Sequence, residues 1–411
     1  MRDYEIHELP NGIRLIHKHV PYTKISHCGF MLDAGSRDEA EDQWGIAHFW
    51  EHMAFKGTGK RKAFHILNSI DAVGGELNAY TTKEKVCFHA SVLDKYFPKA
   101  FELLADITFD SIFPEKQIEN EKRVILEEMA MYTEVPEDAI QDDFDEVVFG
   151  GHTLGKNILG SRESVMAFGR DDFRRFIDGN MDTGRIVFSY IGSEPASKVF
   201  KLGEKLLSGI VKKTIERERK PFETYVANDK VVSKDCSQVH VAIGNVGYGI
   251  GHPDRLNLFM LSNILGGPAL NSRLNLALRE KYGYVYSIEA GSSAMTDTGL
   301  FSIFYATEPK YSKKTQALVY KELKKLREVP LGAVQLRRAK EQLLGQMAMS
   351  EENNQSLMLV MAKSLLDLGR IESFEAVTRR VQEVTSEDLQ RVALEVFDEK
   401  KLSTLTFVPE D

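Results

Sequence analysis

Apolar positions along this chain change period repeatedly, and each change marks an element. After the turn signal Leu9-Pro-Asn-Gly12, Ile13 and Leu15 alternate with polar residues up to Val20, which predicts a hairpin. The apolar run from His27 to Ala34 predicts a buried strand. Between about Asp42 and Gly57, the residues Trp44, Ile46, Ala47, Phe49, Trp50 and Met53 fall on almost every side of a helix. That helix is therefore buried, with Asp42 as its N-cap and Gly57 as its C′ residue. Ala63 to Val73 predicts a helix stopped by Gly74-Gly75. Asn78 to Val92 alternates like a strand, with Tyr80, Val86, Phe88 and Ala90 on one side, and Tyr96–Phe109 and Lys116–Met131 follow with helical period.

From Lys212 to Phe222 the chain is charged, poor in aliphatic residues and interrupted by Pro221, the composition of a connector. The two sides of it resemble each other. Ile66 to Tyr80 reads as a helix, a glycine stop and a strand, and Leu274 to Ile288 repeats that layout. The expectation is an α+β protein of two similar domains, residues 1–212 and 223–411 joined by 213–222, each an antiparallel sheet with helices packed on one face. The second half has only His240 and His252, twelve apart.

Composition narrows the function classes. A chain of 411 residues with 43% hydrophobic and 28% charged residues has the profile of a globular protein with two or three domains. A net charge of −8 argues against general nucleic-acid binding. Cys28, Cys87 and Cys236 are scattered and odd in number, so they suggest free thiols. Met1-Arg-Asp-Tyr4 leads into a strand-like segment with no apolar signal region, and no stretch approaches a membrane span. The expectation is a cytoplasmic protein with no membrane partner.

Chemistry enters with His48-Phe-Trp-Glu51-His52. Residues four apart share a helix face, so both imidazoles can serve one metal ion, and Glu51 can reach a water on it as general base. The order His-x-x-Glu-His is the inverzincin signature. A catalytic zinc commonly takes three protein ligands, so a further His, Asp or Glu is expected. In Ile118–Met129, Glu121 and Glu128 lie seven apart on a stripe with Val124 and Ile125, while Glu127 is turned about 100° away. Carboxylates on an apolar stripe are costly without a cation, which favours Glu128 as ligand and Glu121 as its support. Spacing alone leaves that reading level with a charged solvent face.

With these residues in place the chain resembles the pitrilysin-type (M16) metallopeptidases, especially the short two-domain members related to mitochondrial processing peptidase. The likeness rests on His48–His52 followed by Met53-Ala-Phe-Lys-Gly-Thr58, and on Glu121 and Glu128 at the family's downstream spacing. It implies one zinc ion per chain on His48, His52 and Glu128, Glu51 as base and Glu121 as a supporting catalytic group. It implies two halves facing each other around a chamber. Arg279 and Tyr286 in the inactive second half would hold a peptide or unfolded-protein substrate, and Asn78, Ala79 and Tyr80 would offer it a strand edge. The implied activity is zinc-dependent endopeptidase cleavage, by a homodimer because both residue sets share one chain. The alternative is a non-catalytic assembly subunit, or half of a heterodimeric processing peptidase.

Overall fold

The same order of strands and helices occurs twice along the chain. A computed structural model describes residues 4–410, so Met1–Asp3 of the leading segment and Asp411 lie outside the described residues. The first run opens with β1 (Glu5–Glu8), β2 (Arg14–His19), β3 (Ile25–Leu32), α1 (Ile46–Ala54), α2 (Ala63–Asp71), β4 (Glu76–Thr81) and β5 (Val86–Leu93). It continues through α3 (Phe97–Phe109), α4 (Glu115–Glu134), α5 (Pro136–Phe149), α6 (Arg162–Ala167), α7 (Arg170–Asn180), β6 (Ile186–Gly192) and α8 (Ala196–Leu207). The second run has β7 (Asp229–Lys234), β8 (Val239–Gly247), α9 (Arg255–Gly266), a π-helical segment (Asn275–Glu280), β9 (Val285–Ala294) and β10 (Gly299–Thr307). It closes with α10 (Ser312–Glu328), α11 (Ala333–Glu351), α12 (Asn354–Leu368), α13 (Phe374–Glu383), α14 (Ser386–Val396) and β11 (Ser403–Pro409).

Strand order is β1-β2-β6-β3-β5-β4 in one sheet and β7-β11-β8-β10-β9 in the other, identical once β1 is set aside. The internal repeat read from the sequence is therefore a repeat of topology. Neither sheet is wholly antiparallel, because β6 and β11 return after a series of helices and pair in parallel with β2 and β7. Such a parallel pair needs a long crossover, which the intervening helices provide.

Each sheet is covered on both faces rather than one. Along β3, Phe30 pairs in register with Phe88 and Phe188, and Met31 with Cys87 and Val187. Neighbouring residues on a strand point to opposite faces. The phenylalanines meet α3, where the Phe101 ring stacks on Phe188 with centroids 3.7 Å apart. Met31, Cys87 and Val187 meet Met358, Met361 and Leu365 of α12. The second sheet repeats the arrangement. Val241, Ile243, Phe301 and Ile303 pack with Leu258, Val319 and Val392, while Ala242, Phe304 and Leu405 pack with Phe144 and Val147 of α5.

Each repeat thus gives one helix to the other's sheet. The compact units are Met1–Glu128, Ile158–Arg219 and Met349–Ser373 on one side, and Met129–Asn157, Lys220–Ala348 and Phe374–Asp411 on the other. This differs from the division into contiguous domains, since α5 and α12 lie far in sequence from the faces they cover. Among the described residues, no helix is long and apolar enough to cross a membrane.

Three local expectations change. The buried helix begins at Ile46, not near Asp42, whose carboxylate accepts from exposed Arg175 at 2.7 Å. Asn78–Val92 is a hairpin, because Thr82–Lys85 turns the chain between β4 and β5. The connector has no regular element, yet it is not a solvated tether. Arg217 and Arg219 are largely buried against Asp33 and Asp38 at 2.8–3.1 Å. Lys85 bridges Asp33 and Asp367, each at 2.9 Å, and Arg37 donates to Glu84 at 2.7 Å. Buried charges persist only when paired in this way.

Burial alone would raise the Asp33 carboxyl, but Lys85, Arg219 and Arg217 outweigh it and hold it at about 2 against the ordinary 3.8. A carboxylate with a depressed folded-state pKa adds stability above its unfolded value, and that stability disappears as pH falls through the folded one. Asp33→Asn should therefore cost on the order of 2 kcal/mol at pH 7. The gap to wild type should shrink between about pH 4 and 2, as urea unfolding at stepped pH would show. A gap unchanged across that range would place the effect elsewhere.

Candidate active site

The start of α1 is set by a side chain. The Glu39 carboxylate accepts from the backbone N–H of Gly45 and of Ala47, each at 2.9 Å, satisfying donors that a helix start leaves free. Gly45 has φ +96°, and a Cβ there would meet the Leu159 carbonyl and the Gly160 Cα at 2.7 Å, so only glycine fits. Behind α1 the apolar face is locked by aromatic contacts. The Phe49 ring meets Phe173 edge-on at 5.0 Å and Trp50 meets Phe88 at 5.6 Å, with both side chains fully buried. The bulky Phe49-Trp50 pair is therefore the anchor that fixes the rotation of α1.

That rotation turns His48 and His52 towards α4, their rings 4.6 Å apart. On α4, Ile118, Glu121 and Ile125 are buried, Glu128 is half-buried, and Glu127 is exposed. Val124, placed on the inner stripe from sequence, is 48% exposed. Glu128 Oε1 lies 3.7 Å from His48 Nε2, and its Oε2 lies 3.4 Å from His52 Nε2. These distances are too long for hydrogen bonds. Two ligands of a tetrahedral zinc at about 2.0–2.1 Å sit roughly 3.4 Å apart, so the spacing is that of co-ligands. His48, His52 and Glu128 form a group whose ligand atoms all lie within 4.8 Å of one another. Two imidazole nitrogens and a carboxylate suit zinc and leave a fourth position for water or substrate.

A neighbouring pair orients this group. The Nδ1 of His52 is 3.0 Å from Glu121 Oε1, and Lys56 donates to Glu121 Oε2 at 2.7 Å. With Nδ1–H bound to a carboxylate, Nε2 keeps its lone pair for a metal. Burial would raise the Glu121 carboxyl, but His52 and Lys56 hold it below the ordinary value. Burial, aided by His52, pushes the His48 imidazole down to about 3, so it is neutral, as a ligand must be. The Nδ1 of His48 is buried without a hydrogen-bond partner.

Glu51 accepts from the Thr81 hydroxyl at 2.6 Å. Burial raises its carboxyl, Thr81 and His52 oppose, and Glu128 adds to the rise. Thr81 ends β4, the outermost strand of its sheet, so α1 and an open sheet edge meet at this carboxylate. On β4, Asn78 is exposed and Ala79 half-buried, while Tyr80 turns its side chain towards the α12 layer. Arg279 and Tyr286 belong to the second unit, on the π-helical segment and on edge strand β9. The Arg279 guanidinium lies 5.7 Å from the centre of the Tyr286 ring, which is 85% exposed. Sequence reasoning gave no role to Glu39, Lys56 or Thr81. A lysine four residues after His52, just past the end of α1, was the one available signal, and the other two contacts are tertiary.

Comparison with known proteins gives the family. Residues 14–162 match the profile described as "Insulinase (Peptidase family M16)", and residues 167–343 match "Peptidase M16 inactive domain". The chain belongs to peptidase family M16. A Bacillus subtilis protein named "Uncharacterized zinc protease YmxG" is 32% identical over 390 residues, covering 95% of this chain and 94% of its own. A Streptomyces coelicolor protein, also named an uncharacterized zinc protease, is 33% identical over 395 residues, 94% of this chain and 86% of its own. A protease from Helicobacter pylori shares the fold with a TM-score of 0.91 at 21% identity over 99% of both chains. Among the described residues the second repeat brings no such group together, and α9, the counterpart of α1, has neither histidine nor acid.

Glu121→Gln should weaken zinc affinity about 10–100-fold while leaving the fold intact, as competition with a chromophoric chelator would show. Unchanged affinity would mean that His52 needs no such support.

Proposed function

We propose that this M16 chain is a zinc-dependent endopeptidase acting on peptides or unfolded protein segments. The observation that carries the reading is the meeting, on one face of α1, of a zinc-fitting ligand group, the half-buried carboxylate of Glu51 and the free edge of β4. Zinc held by His48, His52 and Glu128, one ion per chain, would polarise the scissile carbonyl and acidify the attacking water. Glu51 takes the proton of that water and passes it to the departing amine. Thr81 holds the Glu51 carboxylate in place, and Glu121 keeps His52 in the tautomer that binds.

An extended substrate adds to β4 as a further strand, through main-chain hydrogen bonds to Ala79 and Tyr80 and the side chain of Asn78. That mode tolerates many sequences. Arg279 and Tyr286 supply hydrogen-bond donors to a peptide carbonyl and to the developing oxyanion. With the metal ligands and this pair on one chain, a homodimer is the assembly we propose.

Incubating unstructured peptides with wild type and with Glu51→Gln, while measuring bound zinc, tests the mechanism. Wild type should cut, and the variant should keep its zinc and lose at least about a hundredfold in rate. A wild type that binds zinc and cuts nothing would favour a non-catalytic or partner-dependent role. Arg279→Ala and Tyr286→Phe should each lower kcat/KM roughly 10–1000-fold with zinc retained; unaltered kinetics in both would remove the pair from the mechanism.

A further inference from the structure

The π-helical segment Asn275–Glu280 stands where the first repeat has the ordinary helix α2. Such turns are rare and are frequent at functional sites. This one borders a cavity of about 520 Å³ within the second unit, walled on its apolar side by Leu276, Ala277, Leu318, Val329 and Pro330. Arg273, Lys281, Lys321 and Lys325 also line it, against a single carboxylate, Glu322. Glu322 is already bonded to Lys325. Lys281 rests over the Tyr282 ring, and among the described residues neither it, Lys321 nor the half-buried Arg273 has a side-chain hydrogen bond or ion pair.

A partly desolvated guanidinium without a partner is costly and recognises oxyanions through paired N–H groups. Burial holds the Arg273 guanidinium below its ordinary value, with only Glu322 opposing. The volume falls within the range of small-molecule sites and far exceeds what an inorganic anion fills. Nothing in the proposed peptidase reaction uses this cavity.

We propose that the cavity binds a small organic anion, its carboxylate or phosphate on Arg273, Lys281 and Lys321 and its apolar body against Leu276, Leu318 and Val329. Calorimetric titration of the full chain with hexyl phosphate, hexanoate, hexylammonium and inorganic phosphate tests this. One or both organic anions should bind saturably, and the tighter identifies the head group. Hexylammonium should not bind, and inorganic phosphate should bind at least about tenfold more weakly. Lys321→Gln, at an exposed position that leaves folding intact, and Arg273→Met should each weaken binding about tenfold or more. Lys324→Gln, on the same helix but outside the cavity and paired with Glu328, should bind as wild type does. Absence of binding by both organic anions, equal binding of hexylammonium or inorganic phosphate, or unchanged affinity in Lys321→Gln would each overturn the proposal.

Discussion

Helix α1 has to be buried and still present three polar side chains to one point, and the first unit is arranged around that constraint. Phe49, Trp50 and Met53 leave the helix no freedom to rotate, because a close-packed aromatic environment accepts one orientation. Glu39 and Gly45 fix where the helix begins. With rotation and start both set, the positions of His48, Glu51 and His52 follow from helical geometry alone. Precision at the site is thus a property of the core behind it, and the polar contacts of Glu121, Lys56 and Thr81 refine what packing has already decided.

The two repeats show how one topology carries different chemistry. Where the first places the histidine helix α1, the second places α9, a largely apolar helix with neither histidine nor acid. Where the first has the regular helix α2, the second has a π-helical segment with Arg279 on it. Strand order stays the same because it is fixed by the burial of whole faces, whereas a site needs only a few substitutions on elements that the sheet already holds.

Much of this was legible in the residues. The period of apolar positions located most strands and helices, and the helical phase of α4 separated Glu128 from Glu127. The relation between the repeats was visible in the shared layout of Ile66–Tyr80 and Leu274–Ile288, which form equivalent elements. What stayed hidden was non-local. The charged stretch containing Arg217 and Arg219 looks solvated unless one knows that Asp33 and Asp38 face it, and composition cannot show such pairing. The start of α1 was misplaced because its cap, Glu39, lies six residues before Gly45, outside the spacing of ordinary capping patterns. The open edge of β4 is likewise a fact of strand order, which no single segment displays.

The exchange of α5 and α12 has a consequence for how the protein is made. Synthesis runs from the N-terminus, and the strands β2, β3, β5 and β6 are complete once residue 192 has emerged. Met31, Cys87 and Val187 then form an apolar face whose cover, α12, ends only at Leu368. For some 170 further residues the nascent first sheet has one face exposed to water or to a chaperone, while α5, already made, waits for β8 and β11. The first repeat therefore does not reach its final packing until most of the second has been translated, although each repeat has its own core.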